Sequence, residues 1–342
     1  MVYYEMDFKT TGGRLMNISE IAKMAGVSPS AVSRYLNQGY LSEEKREAIR
    51  KVIQETGYRP LVQAQILRTR KTKTIGVILP KIDSFSIGSV VSGVDSVLEP
   101  KGFQILLADT HNSPEMELKY LDLFDDQRVD GVILIGTVFT PGHLSAVKKS
   151  RVPIVIVGQH LAGASCVYHD DYHAFCDITR LVLNKGCRRL GYIGALPQDK
   201  AVGQERSRAY QDVLREAGLA DQADHTVVAD FTMGSGREKA RELWEVYGPL
   251  DALVCATDNM AVGVLQYLKS QGIQVPGQVR LTGHGASSLC EVTTPTITTI
   301  RYFYEESGAN AASLLLERLE NPDTPAKEIK LGYTIVEHAS TL

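Results

Sequence analysis

The stretch Ile18-Ser19-Glu20-Ile21-Ala22-Lys23-Met24-Ala25-Gly26-Val27-Ser28-Pro29-Ser30-Ala31-Val32-Ser33-Arg34-Tyr35-Leu36-Asn37 decides how the rest of the chain is read. Ile18, Ile21, Ala22 and Ala25 share one helical face, and Asn17 or Ser19 is placed to cap it. Gly26 breaks that helix and supplies a tight turn. Ser28 then caps a second helix whose first residue is Pro29, a position where a missing amide hydrogen costs nothing. Val32 and Leu36 point inward, which leaves Ser30, Ala31, Ser33 and Arg34 outward. Asn37-Gln38-Gly39 ends the helix, and Ser42 caps a third with Glu43 and Glu44 in its first turn, where the dipole favours acids. Ala48, Ile49, Val52 and Ile53 form its apolar stripe and Gly57 stops it. Three short helices, the first two joined through a glycine turn, predict a helix-turn-helix head over residues 16–60.

Helical hairpins of this kind also occur without nucleic acid, so charge is the arbiter. From Asn17 to Lys73 there are eleven Lys/Arg against five Glu, a net of +6; the whole chain carries -3, and residues 1–16 balance. The body therefore carries -9. A basic head on an acidic body implies a polyanion partner for the head alone. The slim outer face of the second helix suits a major groove, with its N-terminal side chains at base edges and flanking cations at phosphates. Residues 61–73 are short, basic and unable to bury themselves. They read as a linker or hinge helix that forms on DNA, with Leu67 as a wedge between base steps of the minor groove. Residues 1–15 show no apolar period and read as a tail, with Met16 an alternative start.

From Thr74 onward, short apolar runs alternate with helical segments. Ile75–Leu79, Phe103–Ala108, Gly131–Ile135 and Ile154–Val157 form a first series of strands. Leu190–Ile193, Thr226–Val228, Ala252–Cys255 and Val279–Thr282 form a second. Near-continuous apolar strands between helices indicate parallel sheets covered on both faces. About nine strands are too many for one comfortable sheet, so the fold class is a small all-α head plus an α/β body of two doubly wound lobes. Ligands in such folds sit between the carboxyl ends of the strands. Polar groups at those ends are Phe85-Ser86, Gln159-His160, Asp170-Asp171, Thr257-Asp258-Asn259 and His284-Gly285, with Arg206 near a helix start. Carboxylates, an Arg, amides and an aromatic would suit a sugar, although Asp258 also reads as a helix cap and Phe85 as packing.

Other classes find little support. The chain of 342 residues is 44% hydrophobic and 23% charged, a globular composition. No run of about 18 apolar residues suggests a membrane span, and no basic-then-apolar leader opens the sequence. Cys166, Cys176, Cys187, Cys255 and Cys290 are odd in number and form no C-x-x-C pair, which fits reduced thiols in a cytoplasm. Neither a phosphate-binding G-x-x-x-x-G-K-[ST] nor a G-x-S-x-G nucleophile motif occurs, and Gly234-Ser235-Gly236 lacks a third glycine. His169-Asp170-Asp171 has no second histidine at helical spacing, so no metal, cofactor or catalytic residue is expected. The competing readings are a sugar-binding protein of the periplasmic type, against which the basic head argues, and an enzyme on a Rossmann-like scaffold.

Head, linker and body together resemble the lactose-repressor/galactose-repressor (LacI/GalR) family of bacterial transcription regulators, from Met16 to the C-terminus. The head stretch quoted above carries most of the resemblance. Gly57-Tyr58-Arg59-Pro60, Val129-Asp130-Gly131-Val132-Ile133, Arg206 with Tyr210, Thr257-Asp258-Asn259-Met260-Ala261 and Pro295-Thr296-Ile297-Thr298-Thr299-Ile300 follow in family order. The resemblance implies a cytoplasmic homodimer on pseudo-palindromic operator DNA, a repressor of carbohydrate utilisation controlled by a sugar or sugar phosphate between the lobes. By position it implies DNA contacts from Ser28, Pro29, Ser30, Ser33, Arg34, Asn37, Ala64 and Leu67. It implies effector contacts from Phe85, Gln159, His160, Asp170, Arg206, Thr257, Asp258, His284 and Tyr302. The first lobe would hold about 74–169 and 302–327, the second about 170–301 and 328–342. His284-Gly285 replaces the family's aromatic–Asp pair, Gly158-Gln159 another polar position, Leu61 and Gln65 the usual hinge residues, and Pro29 a base-reading side chain. The resemblance points to the sugar-utilisation branch, that of sucrose or fructoside regulators of Gram-positive bacteria.

Overall fold

A computed structural model describes residues 16–36, 39–58, 72–126 and 129–342. The chain divides into two compact units, residues 1–71 and 72–342. The expected N-terminal tail, Asn37 and the hinge residues Ala64 and Leu67 lie outside the described residues.

In the first unit, α1 (Ile18–Met24), α2 (Pro29–Leu36) and α3 (Glu43–Thr56) enclose a core of Ile21, Ala22, Val32, Ile49 and Val52. Asn17, not Ser19, caps α1. Its Oδ1 accepts from the Ser19 and Glu20 amides, and the Glu20 carboxylate returns a bond to the Asn17 amide at 2.8 Å. Ser42 precedes α3 in extended conformation but makes no side-chain cap bond. Ala31, read above as outward, is buried, because α2 packs its 31–32 edge onto the hairpin core. Gly57 ends α3 at φ 64°, the left-handed conformation glycine adopts without strain.

The second unit holds two parallel sheets. The first has six strands in the order β11-β5-β4-β3-β1-β2. These are β1 (Thr74–Leu79), β2 (Gln104–Asp109), β3 (Gly131–Ile135), β4 (Ile154–Val157), β5 (Ser165–His169) and β11 (Glu328–Leu331). The second runs β7-β6-β8-β9, from β6 (Leu190–Gly194), β7 (Thr226–Val228), β8 (Ala252–Cys255) and β9 (Arg280–Thr282). A third, two-stranded antiparallel pair joins β10 (Thr299–Tyr302) to β12 (Tyr333–Val336). The central strands β3, β4, β6 and β8 are buried along their whole length, as strands covered on both faces must be.

Two departures from the sequence reading follow from this topology. β5 and β10 were not among the expected strands. Ser165–His169 carries Ser, Tyr and His in place of a continuous aliphatic run, and it becomes a strand by pairing with β4 and β11. The segment 328–342, assigned above to the second lobe, holds two strands separated at Gly332. Its first part, β11, completes the six-stranded sheet beside β5, so residues 328–331 belong with the first sheet.

Helices α4 (Phe85–Leu98), α5 (Pro114–Asp125), α6 (Pro141–Lys149) and α12 (Tyr304–Glu320) accompany the first sheet. Those packed on the second are α7 (Asp171–Asn184), α8 (Arg206–Glu216), α9 (Met233–Tyr247), α10 (Asp258–Ser270) and the short α11 (Leu289–Val292). α4 and α12 meet at glycines. A Cβ on Gly93 would strike the Glu305 carbonyl, and one on Gly308 the Val90 carbonyl. This backbone-to-backbone contact anchors the C-terminal helix to the first sheet. Gly93→Ala and Gly308→Ala are each expected to lower stability by about 1–3 kcal/mol, the usual range for overpacking. Denaturant midpoints at unchanged slope would record the loss; wild-type midpoints would show that the helices separate freely.

Candidate functional site

On the first unit, Ser28, Pro29, Ser30 and Arg34 are exposed and Ser33 is half-buried. The Ser28 hydroxyl oxygen accepts from the Ala31 amide at 3.2 Å and lies 2.8 Å from the Ser30 hydroxyl, so the start of α2 is stiffened by its own side chains. The face is small, polar and free of bulky apolar groups, with Arg34 at its end. Arg46 steadies the turn behind it by donating to the Gly39 carbonyl at 3.3 Å.

In the second unit, a cleft of about 260 Å³ opens between the two parallel sheets. Seven of the nine expected positions line it: Phe85, Gln159, Arg206, Thr257, Asp258, His284 and Tyr302. His160 and Asp170 do not. His160 lies on the outside, its Nε2 2.9 Å from Glu328. Asp170 caps α7 and pairs with Lys330 at 2.7 Å, while its neighbour Asp171 turns into the cleft. The physical reason is the strand-to-helix junction. β5 ends at His169, and Asp170, as the N-cap of α7, spends its side chain on the helix end.

The cleft is organised around a buried ion pair. Arg206 donates from Nε and Nη2 to Asp171 Oδ1 at 2.9 and 2.6 Å, and from Nη1 to the Ala256 carbonyl. Burial works against the guanidinium charge, but the adjacent Asp171 carboxylate together with Tyr302 and Tyr304 outweighs it and keeps Arg206 cationic. The Tyr302 hydroxyl donates to the same Asp171 oxygen at 2.9 Å and lies 2.8 Å from His284 Nε2. The Arg206 guanidinium lies 5.7 Å from the centre of the Tyr302 ring. His169 packs on that ring at a tilt of 32° with centroids 4.5 Å apart, and Tyr304 approaches it edge-on at 5.8 Å.

Asp258 braces the far wall. Its Oδ1 accepts from the Thr299 hydroxyl and its Oδ2 from the Ser287 amide, both at 2.6 Å. Thr257 caps α10, accepting from the Met260 amide at 3.4 Å. Gln159 follows Gly158, whose φ of 92° no other residue adopts easily. From there its Nε2 donates to the Thr137 carbonyl and, more weakly at 3.4 Å, to Asp199 Oδ1. Asp199 opens a π-helical turn, Lys200–Glu205, that leads into α8 and turns Arg206 inward. Burial raises its pKa to about 6. Phe85 stands at the mouth, half exposed, with Phe231 on the opposite side.

Sequence reasoning missed Asp199, His169 and Tyr304, and it named Asp170 where Asp171 faces inward. A π turn carries no periodic signature, so Asp199 had no signal. His169 was weighed only as a metal ligand. Tyr304, two residues beyond Tyr302, stood where the chain crosses between sheets, and that spacing was the available clue.

Two family models match the chain: "Bacterial regulatory proteins, lacI family" over residues 17–60, and "Periplasmic binding protein-like domain" over residues 179–341. The sucrose operon repressor of Staphylococcus xylosus is 31% identical over 307 residues, covering 90% of this chain and 95% of that one. This protein belongs to the LacI family. As a LacI-family member it is a DNA-binding transcriptional regulator and not an enzyme. Among solved structures, that of the transcriptional regulator CelR–cellobiose complex matches with a TM-score of 0.74 at 26% identity, over 95% of this chain and 99% of that one. The lac repressor dimer bound to operator and the anti-inducer ONPF shares the fold, with a TM-score of 0.86 at 18% identity over 96% of this chain and 100% of that one. Among the described residues of this LacI-family regulator, no helix is long and apolar enough to cross a membrane.

The raised pKa of Asp199 has a thermodynamic consequence. Between the ordinary aspartate value of 3.8 and about 6, the folded protein holds a proton that the unfolded chain has released. The Asp199 contribution therefore weakens as pH rises through that window, by on the order of 2–3 kcal/mol when complete. Asp199→Asn is expected to flatten this part of the stability profile, read as the wild-type-minus-variant difference in unfolding free energy from pH 4 to pH 7. A difference independent of pH would show that Asp199 titrates as an ordinary surface acid.

Proposed function

We propose that the protein is a homodimeric repressor of a carbohydrate-utilisation operon, acting in the cytoplasm where its operator DNA lies. A neutral sugar in the cleft would control its hold on DNA. The observation that carries the effector reading is the Arg206–Asp171–Tyr302–His284 network. It is a buried, hydrogen-bonded polar wall facing a cavity between two sheets, where a packed core would place aliphatic side chains. The sucrose operon repressor and the CelR–cellobiose complex support a carbohydrate as the ligand.

The charges select among carbohydrates. The lining includes Asp83, Asp171, Asp199 and Asp258 against Lys81 and Arg206. Arg206 is committed to Asp171, and Lys81 lies 3.5 Å from Asp83 near the rim. A phosphate ester would meet more carboxylates than available cations, so a neutral polyol is the better fit. In this reading Phe85 covers a sugar face at the mouth, Gln159 and Asp199 meet hydroxyls from one side, and Thr257, Asp258 and Tyr302 hold the other. Residues about 16–60 form the DNA-reading unit, 61–73 the hinge and 74–342 the effector and dimerisation unit. Ser28, Pro29, Ser30, Ser33 and Arg34 would face base edges, with Asn37, Ala64 and Leu67 completing the contact.

A thermal-shift screen of the whole protein against neutral mono- and disaccharides and their phosphates tests the cleft. Ligand at a hundred times its dissociation constant adds about 2.7 kcal/mol of stability. Stabilisation by neutral sugars alone is expected; stabilisation by the phosphates alone would overturn the charge argument. The head is tested by Arg34→Ala, which is expected to weaken binding to an operator fragment by about 5- to 150-fold. That variant should leave the sugar shift unchanged, and wild-type affinity should fall steeply with added salt. Equal loss of DNA and sugar binding would mean that the variant had misfolded. Salt-independent DNA binding would remove the phosphate contacts.

A further inference from the structure

The second unit begins in a clasp. Thr72 and Lys73 lead into β1, and both are held by Asp130, the residue just before β3. Asp130 Oδ1 accepts from the Thr72 amide at 2.6 Å and from the Thr72 hydroxyl at 2.9 Å, while its Oδ2 accepts from the Lys73 amide at 2.9 Å. The Thr72 hydroxyl oxygen in turn accepts from the Thr74 amide at 3.2 Å. Lys73 is engaged on every side. Its carbonyl accepts from the Gln104 amide at 2.8 Å, its Nζ donates to the Lys101 carbonyl at 3.2 Å, and the same ammonium lies 4.1 Å from the centre of the Phe103 ring. Its φ is 55°, a left-handed conformation that a residue with a side chain holds only where its surroundings impose it. Neither the core nor the cleft uses these groups, since Thr72 and Asp130 are half-buried and Lys73 is exposed at the sheet's far end.

Their place in the chain gives the clasp a task. The covalent path from the first unit to the second passes through Thr72 and Lys73. β1 and β3 are adjacent parallel strands, paired from Ile75 with Gly131 to Ile78 with Leu134 and buried along that length. Their carboxyl ends run into Pro80 and Lys81 and into Gly136 and Thr137, which line the cleft. Their amino ends carry the clasp. The cleft and the exit of the chain therefore lie at opposite ends of one strand pair, about 15–20 Å apart by strand rise. We propose that Asp130 is a positioning residue that fixes the direction in which the chain leaves the effector unit toward the DNA-reading unit, so that a dimer presents its two heads at one set spacing. The inference rests on the reading of the protein as a dimeric operator-binding regulator. With the clasp closed, a displacement of the first sheet at the cleft reaches the exit without slack. With it open, each head keeps its own base contacts, but the direction of the chain at Thr72 is no longer set.

The test uses the full-length protein. The wild type first selects an operator from a pool of random-sequence duplex DNA. Fluorescence anisotropy then measures binding to that operator, to forms with one base pair inserted or deleted between the half-sites, and to forms with one half-site base changed. An inserted pair turns one half-site by about 36° around the duplex axis, so for the wild type each spacing change should cost on the order of 10-fold or more in affinity, the scale of a lost base-pair match. In Asp130→Ala the spacing penalty should shrink to within about 3-fold, while the penalty for the changed base stays at its wild-type value. Asp130→Asn keeps one acceptor oxygen for Thr72, and Thr72→Val removes the hydroxyl alone; both should fall between Asp130→Ala and the wild type. Melting is checked for every variant, and should Asp130→Ala fail to fold, the other two carry the same prediction. A lowered melting temperature with the wild-type spacing penalty would make Asp130 a strand-end support only and overturn the proposal, as would a wild type indifferent to spacing. Equal loss of both penalties would place the effect in the head and overturn it too. Failure of the wild type to select a sequence with two half-sites would overturn the dimeric reading and this inference together.

Discussion

The body of this protein depends on one buried charge. Arg206 sits at the start of α8 with almost no solvent contact, and three elements meet on it: Asp171 at the start of α7, the Ala256 carbonyl just beyond β8, and Tyr302 at the end of β10. A lone guanidinium there would cost several kcal/mol, so each of those partners is obligatory once Arg206 is present. Removing the arginine would strand Asp171 in turn, at a cost of about 3–5 kcal/mol. The pair is weak as a source of net stability but strong as a specification. It fixes how α7, α8, β8 and β10 converge, and it leaves a polar wall where hydrophobic packing alone would close the gap.

The same constraint explains which residues could be read from the sequence. Arg206, Thr257 and Asp258 lie at the ends of strongly periodic elements, so the alternation of strand and helix delivers them to the carboxyl edge of a sheet, whereas Tyr302, at the end of a strand the periodicity did not reveal, was implied by the family resemblance alone. The head is legible for a similar reason. Asn17, Gly26, Ser28 and Gly57 are punctuation whose chemistry is local, and all four adopt the roles their side chains dictate. What escaped was set by tertiary pairing. Whether Asp170 or Asp171 faces inward depends on where β5 stops, and β5 exists only through its neighbours β4 and β11. The π turn before α8 has no period of its own, so nothing in the sequence points to Asp199. The inward position of Ala31 shows a smaller limit, since a helical wheel does not fix which of two adjacent residues faces the next helix.

The cleft residues also lie where the chain passes from one sheet to the other. His169 ends the last strand of the first sheet before α7, and Asp171 opens that helix. Tyr302 ends β10, and Tyr304 begins α12, which packs back on the first sheet. Gly332 separates β11 in the first sheet from β12, which pairs with β10. A ligand touching His169, Asp171, Tyr302 and Tyr304 therefore touches backbone that joins the two sheets, as well as their facing surfaces. Any change in the angle between the sheets alters the dihedrals at these junctions, and so alters the ligand's own contacts.

That placement gives the network a role beyond recognition. A ligand shifts a conformational equilibrium only by the difference in its affinity for the two states. Side chains deep within one sheet would move with that sheet and give no such difference. Groups at the crossings are shared by both sheets, and Gln159 reaching toward Asp199 adds a contact from the first sheet's side to the turn after β6. The rings of His169 and His284 belong to the same arrangement, because both pack on Tyr302, the residue that carries the chain out of β10. One buried cation thus sets the polarity of the cleft, and its position at the crossings makes that polarity sensitive to how far the two sheets close.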